Sequence, residues 1–131
     1  MKRTANPLVA VAYLRVSTDE QQLGPAAQRA QIEAWAAREG IVVAAWHTDA
    51  GVSGAAEIDA RPGLVAALAD VVRLRAGVLA VAKRDRLARD VAIAAAVERT
   101  VGRSGARGQT ADGTGNGDTP ADAVLRHMLD G

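Results

Sequence analysis

Apolar residues are arranged along this chain in two alternating patterns. Three short apolar runs are rich in valine and isoleucine: Leu8 to Val16, Ile41 to Trp46 and Val78 to Ala82. Their length is that of buried strands. Between the runs lie longer segments in which apolar residues recur every three or four positions, which is the period of an amphipathic helix. The pattern therefore predicts strands that alternate with helices.

The predicted helices have clear boundaries. The first lies between Pro25 and Gly40, with proline near its start and glycine just past its end. Its buried face is predicted to contain Gln28, Ile32, Trp35 and Ala36. A second helix is predicted between Pro62 and Gly77, where Gly77 closes it, and a third over about 85–101. This order predicts an α/β fold of three layers, with helices on both faces of a mainly parallel sheet.

The composition changes after Val101. Residues 102–118 are rich in Gly, Arg, Thr and Asp, and we predict a loop there with a weak fourth strand near 106–110. Thr119 and Pro120 then supply a helix N-cap and first position. Because that helix keeps an apolar stripe up to the last residues, we expect it to be a truncated long helix at 119–131. We expect one domain over 1–131, with a tail at 1–7.

Composition narrows the functional classes. The chain has 131 residues, of which 49% are hydrophobic and 24% charged, as in one globular domain. It has no cysteine, which excludes disulfides, zinc–thiolate sites and a cysteine nucleophile. The net charge is +1, so phosphate binding would have to be local. No apolar stretch approaches the length of a membrane span, and we expect a soluble, cytoplasmic protein.

Candidate chemistry lies where the strands end, because ligands of parallel α/β sheets bind at the carboxyl edge. Alternation along the first strand places Tyr13, Arg15 and Ser17 on one face, which becomes polar as the chain emerges from the sheet. The third strand leads into Lys83-Arg84-Asp85-Arg86-Leu87-Ala88-Arg89-Asp90. Arg86 and Arg89 share one helix face. This cluster is either a solvated helix start or, with Arg15, an anion site at a helix N-terminus.

A serine beside several arginines suits phosphoryl transfer, in which catalysis consists mostly of positioning and of neutralising charge on oxygens. A protease-like triad is disfavoured because no histidine lies near Ser17 in the sequence, and we interpret His47 and His127 as incidental or structural rather than as catalytic bases. The segment after Asp112 imitates half of a calcium loop, but Ala123 stands where the final glutamate is required. We therefore expect neither a metal nor another cofactor.

Four motifs resemble the N-terminal catalytic domain of serine site-specific recombinases, the resolvase and invertase group. They are Tyr13-Leu14-Arg15-Val16-Ser17-Thr18 followed by Gln21, Asp49-Ala50-Gly51-Val52-Ser53-Gly54, Arg61-Pro62-Gly63-Leu64 and Asp85-Arg86-Leu87-Ala88-Arg89-Asp90. Each motif is weak alone, whereas all four in this order are specific. The resemblance covers the chain from about Leu8 onward.

The resemblance implies that Ser17 attacks a DNA phosphodiester and forms a 5′-phosphoserine link without a metal. Three arginines would contact the scissile phosphate, one acidic residue would orient them, and two further residues would support the site: Arg15, Arg86, Arg89, Asp85, Gln28 and Arg61. Judged without the resemblance, Gln28 could be a plain helix residue and Arg61 a surface charge. Arg84 stands where the family more often has an apolar residue.

The resemblance also implies partners. In the family a long helix forms the dimer interface and a separate C-terminal module binds DNA, so we expect a homodimer or tetramer on DNA for the full-length protein and an inactive domain for this chain alone. Two alternatives remain at this point. One is a noncatalytic α/β regulatory domain of the receiver type, which would require acidic residues where Arg15 and Ser17 stand. The other is a degenerate relative that serves as an interaction module.

Overall fold

The computed structural model describes residues 5–16, 24–53, 56–83 and 91–113. Its core is one four-stranded sheet in the order β2-β1-β3-β4, in which all neighbouring strands are parallel. The strands are β1 (Asn6–Val16), β2 (Val42–Ala50), β3 (Ala76–Val81) and β4 (Arg107–Thr110). The helices are α1 (Pro25–Glu39), α2 (Pro62–Arg73) and α3 (Val91–Gly102), and a 3-10 turn covers Ile58–Ala60. The predicted α/β architecture is confirmed, including the weak fourth strand.

The sheet separates two apolar cores, as expected for three layers. On one face, alternate residues of β1 and β3 pack with Ile32, Trp35 and Ala36 of α1. On the other face, the remaining residues of those strands pack with Leu64, Ala67, Leu68 and Val71 of α2 and with Val97 and Val101 of α3. Because side chains alternate along a strand, β1 contributes to both cores and lies at the centre of the fold.

The second strand differs from its prediction in two respects. It is an edge strand rather than a fully buried one, and Val42 is 65% exposed. It also continues to Ala50, beyond the apolar run that ends at Trp46. The pairing with β1 explains the extension, since Leu14 and Arg15 stand opposite Thr48 and Asp49. Main-chain pairing with a central neighbour extends a strand beyond its apolar run.

Two glycines were predicted to end helices, and only one of them does. Gly40 ends α1 with φ of 69°, the left-handed conformation predicted for it. Gly77 does not close α2, which ends at Arg73, but lies inside β3. A Cβ at Gly77 would come within 2.5 Å of the Asn6 main-chain oxygen, so this glycine permits close packing of β1 on β3. Asn6 itself begins β1, although the sequence placed it in a tail.

Several predicted features lie outside the described residues. They include the nucleophile candidate Ser17, the cluster with Asp85, Arg86 and Arg89, and the helix expected at 119–131. Within the part of the chain that is described, no helix is long and apolar enough to cross a membrane.

Candidate active site

Arg15 lies at the carboxyl end of β1, on the face that packs against α2. Val11 and Tyr13 precede it on that face, as the alternation predicts. The polar residues of this face remain buried, because Tyr13 and Arg15 both have 0% exposure. A fully buried guanidinium requires polar partners, since transfer of an unpaired charge into a protein interior is very costly.

Partners of Arg15 come from both sides of the strand. Its Nη1 donates to the main-chain oxygen of Val52, in the loop after β2, at 2.8 Å. Its own main-chain oxygen accepts a hydrogen bond from Nε2 of Gln28 at 3.1 Å. Gln28 is completely buried on α1. It is therefore not a plain helix residue, and it ties α1 to β1 next to Arg15.

Arg61 is the second buried arginine of the site. It immediately precedes α2 and has 0% exposure, so the interpretation of Arg61 as a surface charge is wrong. Its Nε and Nη2 donate to the hydroxyl oxygen of Tyr13 at 3.2 and 3.1 Å. Its guanidinium carbon also lies 5.4 Å from the centre of the Tyr13 ring. Arg61 therefore supports β1 through Tyr13. These hydrogen bonds do not include Arg15.

Asp49 completes the network and was not among the predicted site residues. Its carboxylate accepts from the Tyr13 hydroxyl at 2.9 Å and from the main-chain N–H groups of Gly63 and Leu64 at 2.7 and 3.0 Å. The N-cap residue of α2, Arg61, makes no side-chain capping bond, so Asp49 supplies from β2 the acceptor that the helix start requires.

The close approach of Asp49 to α2 depends on glycine. A Cβ at Gly63 would lie 2.7 Å from the main-chain oxygen of Thr48 and 2.9 Å from the carboxyl carbon of Asp49. No larger residue fits without displacing β2 from α2. The sequence does contain a signal for this contact, because Asp49 and Gly63 both stand in the motifs quoted above. Composition and periodicity alone do not distinguish them from loop residues.

The protonation state of Tyr13 fixes the direction of the hydrogen bonds. Burial raises the pKa of Tyr13 well above its usual value of 10.0, and this effect outweighs the neighbouring Arg61, which lowers the pKa. The neutral hydroxyl therefore donates to Asp49 while it accepts from Arg61. The result is a continuous chain of buried groups from β2 through β1 to the start of α2.

Other candidate groups of the described chain fall outside this network. Nε2 of His47 lies 2.7 Å from Oδ2 of Asp70, a contact that joins β2 to α2, whereas His127 lies outside the described residues. Among the described residues, no three His, Cys, Asp or Glu side chains are grouped so as to hold a metal ion. Ser17 follows the last residue of β1 in sequence, but neither it nor Asp85, Arg86 and Arg89 is among the described residues.

The family model "Resolvase, N terminal domain" matches residues 10–131. The chain belongs to the resolvase family. This domain is the catalytic unit of serine recombinases, so the protein is an enzyme domain of site-specific DNA recombination. The assignment replaces the alternative of a receiver-type regulatory domain. No curated protein sequence matches the chain.

Solved structures show the same fold. The N-terminal catalytic domain of TP901-1 integrase aligns with a TM-score of 0.76 at 22% identity, covering 93% of this chain and 91% of that one. The C-terminal catalytic domain of IS1535 TnpA, an IS607-like serine recombinase, is 31% identical, with a TM-score of 0.59 over 78% of this chain and 70% of that one. A resolvase family site-specific recombinase from Streptococcus pneumoniae gives a TM-score of 0.66 at 21% identity, over 94% and 86% of the two chains.

Proposed function

We propose that Ser17 of this recombinase domain is the nucleophile that cleaves DNA. Its hydroxyl oxygen attacks the phosphorus of a phosphodiester, and the bond from phosphorus to the 3′ oxygen breaks. The products are a 5′-phosphoserine link and a strand with a free 3′ hydroxyl. The 3′ hydroxyl of a recombining partner strand then attacks the phosphoserine. This step forms a new phosphodiester and releases the serine. The number of phosphate ester bonds is conserved, so no nucleotide is consumed, and the resemblance implies that the reaction proceeds without a metal.

The observation that supports this proposal is that Arg15, Gln28 and Arg61 are all buried around the carboxyl half of β1, where Gln28 donates to the main chain of Arg15 and Arg61 donates to Tyr13. Arg15 stands on β1 two residues before Ser17. A guanidinium held on a rigid strand is suited to bind the equatorial oxygens of a phosphate, since it presents several N–H donors in a fixed fork.

The remaining roles follow from the resemblance and from the contacts. Arg86 and Arg89 would bind the same phosphate, and Asp85 would orient the arginines. Gln28 and Arg61 are positioning residues, because their described hydrogen bonds reach the main chain of Arg15 and the hydroxyl of Tyr13. Since Arg15 has no exposed surface, its contact with phosphate requires the groups that cover it to move.

A covalent-adduct assay tests the nucleophile. On nicked suicide duplexes, from which the 3′ hydroxyl is lost after cleavage, the recombinase should accumulate a protein–DNA adduct that survives denaturation. Ser17→Ala should abolish the adduct and leave DNA binding nearly intact, because only the attacking oxygen is removed. Ser53→Ala is the matched control, since Ser53 is the exposed serine of the neighbouring loop. Adducts that persist in Ser17→Ala and vanish in Ser53→Ala would move the nucleophile to Ser53.

The arginine site has its own test. Replacement of Arg15, Arg86 or Arg89 by Lys keeps the charge but loses the bidentate fork, so cleavage should fall strongly in each variant. Full cleavage in all three would favour a solvated helix start for the cluster at 85–89.

We further infer, from the resemblance, that the recombinase acts as a dimer or tetramer and that a separate C-terminal module provides sequence-specific DNA binding. The net charge of +1 supports this division, because nonspecific DNA affinity depends on phosphate neutralisation by basic side chains. We propose that residues 119–131 dock on their own domain or associate weakly, without forming a stable site-specific complex. Sedimentation combined with gel shifts at two salt concentrations tests this, and a tight, salt-resistant complex with one DNA sequence would contradict it.

A further inference from the structure

Exposed arginines collect at the edge of the sheet opposite the candidate active site. Arg75 lies in the turn between α2 and β3, and Arg99 and Arg103 lie at the end of α3, before β4. All three are exposed. We call them the amino-edge arginines, because the amino ends of the parallel strands form this edge.

The fold brings these arginines together. β3 and β4 are hydrogen-bonded neighbours, with Val78 opposite Arg107, so the turns that lead into them are adjacent. Both turns border the start of β1: the Asn6 N–H donates to the Arg75 main-chain oxygen at 2.8 Å, and a Cβ at Gly105 would lie 3.6 Å from the Cβ of Ala5. Neighbouring strands are about 4.8 Å apart, so arginine side chains on the two turns can reach one ligand.

The amino-edge arginines have no ion-pair partner in the part of the chain that the structure describes. Among the described residues, none of the three amino-edge arginines forms a salt bridge, whereas Arg29 pairs with Glu33 and Arg73 with Asp70. Asp70 is also bonded to His47, and Glu98 lies against the main-chain N–H of Gly108. Within the described residues these three guanidinium groups therefore have no carboxylate paired with them, although Glu98 is the neighbour of Arg99 in sequence and the whole chain carries a net charge of only +1.

Helix electrostatics explain only part of this arrangement. Arg99 lies in the last turn of α3, where a cation interacts favourably with the helix dipole. Arg75 and Arg103 lie beyond the helix ends. Arg75 moreover has φ of 54°, a left-handed conformation that glycine or asparagine adopts at lower cost. This conformation belongs to the turn that ends α2, in which the Arg75 N–H donates to the Val72 main-chain oxygen at 3.2 Å, and the turn itself does not require an arginine side chain.

We propose that the amino-edge arginines bind the phosphate backbone of duplex DNA, independently of its sequence. The domain acts on DNA, and arginine is the side chain whose fork matches phosphate oxygens. The six residues of β3 span about 20 Å, so this edge is remote from the carboxyl edge. The DNA bound here is therefore a segment other than the phosphodiester at the active site, either a neighbouring stretch or a second duplex.

Salt dependence of DNA binding provides the test. The affinity of the chain for a fluorescein-labelled duplex of mixed sequence is measured by anisotropy at several NaCl concentrations. Each phosphate contact contributes about 0.9 to the slope of log affinity against log salt, so Arg75→Gln with Arg103→Gln should lower the slope by about 1.8. The matched control is Arg29→Gln with Arg38→Gln, which removes the same charge from α1. It should keep the slope of the unmodified chain.

Two further measurements exclude indirect effects. Arg75→Gly relieves the left-handed strain, so a loss of DNA affinity in this variant cannot result from unfolding. In NMR titrations with the same duplex, the amides of 74–76 and 102–107 should shift. Equal slopes in both double variants, or shifts that avoid these amides, would overturn the proposal. A loss of self-association with an unchanged DNA slope would also overturn it and would assign the surface to a second copy of the chain.

This proposal uses DNA as the partner but does not depend on the role of Ser17. Ser17→Ala should leave the salt slope unchanged. The adduct assay therefore tests the role of Ser17, and the salt slope tests the amino-edge arginines. Either proposal can fail while the other holds.

Discussion

Removal of the Tyr13 hydroxyl is the sharpest perturbation of the buried network. Tyr13→Phe deletes one oxygen that donates to Asp49 and accepts twice from Arg61, and it keeps the ring that fills the core. Asp49 retains its two main-chain donors, whereas two N–H groups of Arg61 lose this acceptor. The variant therefore leaves buried charges less satisfied and changes little of the packing.

The expected cost follows from these contacts. A buried hydrogen bond to a charged group contributes about 1.5–3 kcal/mol, and leaving its partner unsatisfied costs at least as much. Because Tyr13 and Arg61 have no exposed surface and Asp49 is 4% exposed, water cannot replace the lost oxygen without local opening. We expect Tyr13→Phe to lower the free energy of unfolding by about 3 kcal/mol. That is a large part of the roughly 5–15 kcal/mol typical of a domain.

Urea unfolding followed by tryptophan fluorescence measures this loss, since Trp35 and Trp46 report on α1 and β2. Thr100→Val is the matched control. It also removes a hydroxyl, but one that is only partly buried and bonded within α3 to the Ala96 main-chain oxygen at 2.8 Å. It should cost less than about 1 kcal/mol. Equal midpoints for Tyr13→Phe and the control, at unchanged slope, would refute the coupling of β1, β2 and α2 through this hydroxyl.

The pH dependence gives a second measurement on the same variant. The folded-state pKa of Tyr13 is raised above its usual value of 10.0, so the stability linked to it is fully present below pH 10 and is lost as the pH rises above that value. The slope of this loss reaches at most about 1.4 kcal/mol per pH unit. Tyr13 is the only tyrosine, so Tyr13→Phe should make the alkaline loss of stability less steep. An equally steep loss in the variant would assign it to other groups.

Three further changes have defined outcomes. In Gly63→Ala the added Cβ would lie 2.7 Å from a main-chain oxygen of β2. This variant should lower the free energy of unfolding, measured in urea, by about 1–3 kcal/mol. An unchanged unfolding midpoint would contradict the close packing of β2 and α2. Arg73 and His47 lower the pKa of Asp70, so Asp70→Asn should destabilise the domain near neutral pH. The difference in unfolding free energy between the variant and the unmodified chain should shrink as the pH falls below about 4. A difference that does not change with pH would exclude a contribution of the Asp70 charge to stability. Arg75→Gly should raise the melting temperature by relieving a φ of 54°, and a lower melting temperature would contradict the assigned strain.

Hydrophobic periodicity predicted those parts of the site that lie on regular elements. It placed Tyr13 and Arg15 on one face of the first strand and Gln28 on the buried face of the first helix, and both placements are confirmed. It could not place Arg61, which lies between a 3-10 turn and a helix and finds its partner 48 positions away. It also did not include Asp49 in the second strand, because the apolar run ends at Trp46 and a buried carboxylate in an edge strand has no apolar signature.

The charged residues that the periodicity did not place share one physical property. Burial of apolar residues is a local preference that recurs with the period of the element, so one strand or helix is sufficient to predict it. Burial of a charged residue depends on partners that approach only in the folded chain. The motifs supplied part of this missing information, because Arg61, Gly63 and Asp49 stand in them, but only the folded structure shows that Tyr13 joins these segments.

The cost of burying Arg15 and Arg61 is understandable if the scaffold must fix a charge that later binds phosphate. Replacing buried ion pairs with apolar residues often stabilises a protein, so stability alone does not favour two buried arginines. Phosphoryl transfer gains from groups that are already oriented before the transition state, because they need no reorganisation during the reaction. Arg15 is oriented in this way: Gln28 of α1 donates to its main-chain oxygen on central β1, and its guanidinium donates to the main-chain oxygen of Val52 in the loop after β2. The hydrogen bonds around Arg15 therefore serve the position of a charge more than the stability of the fold.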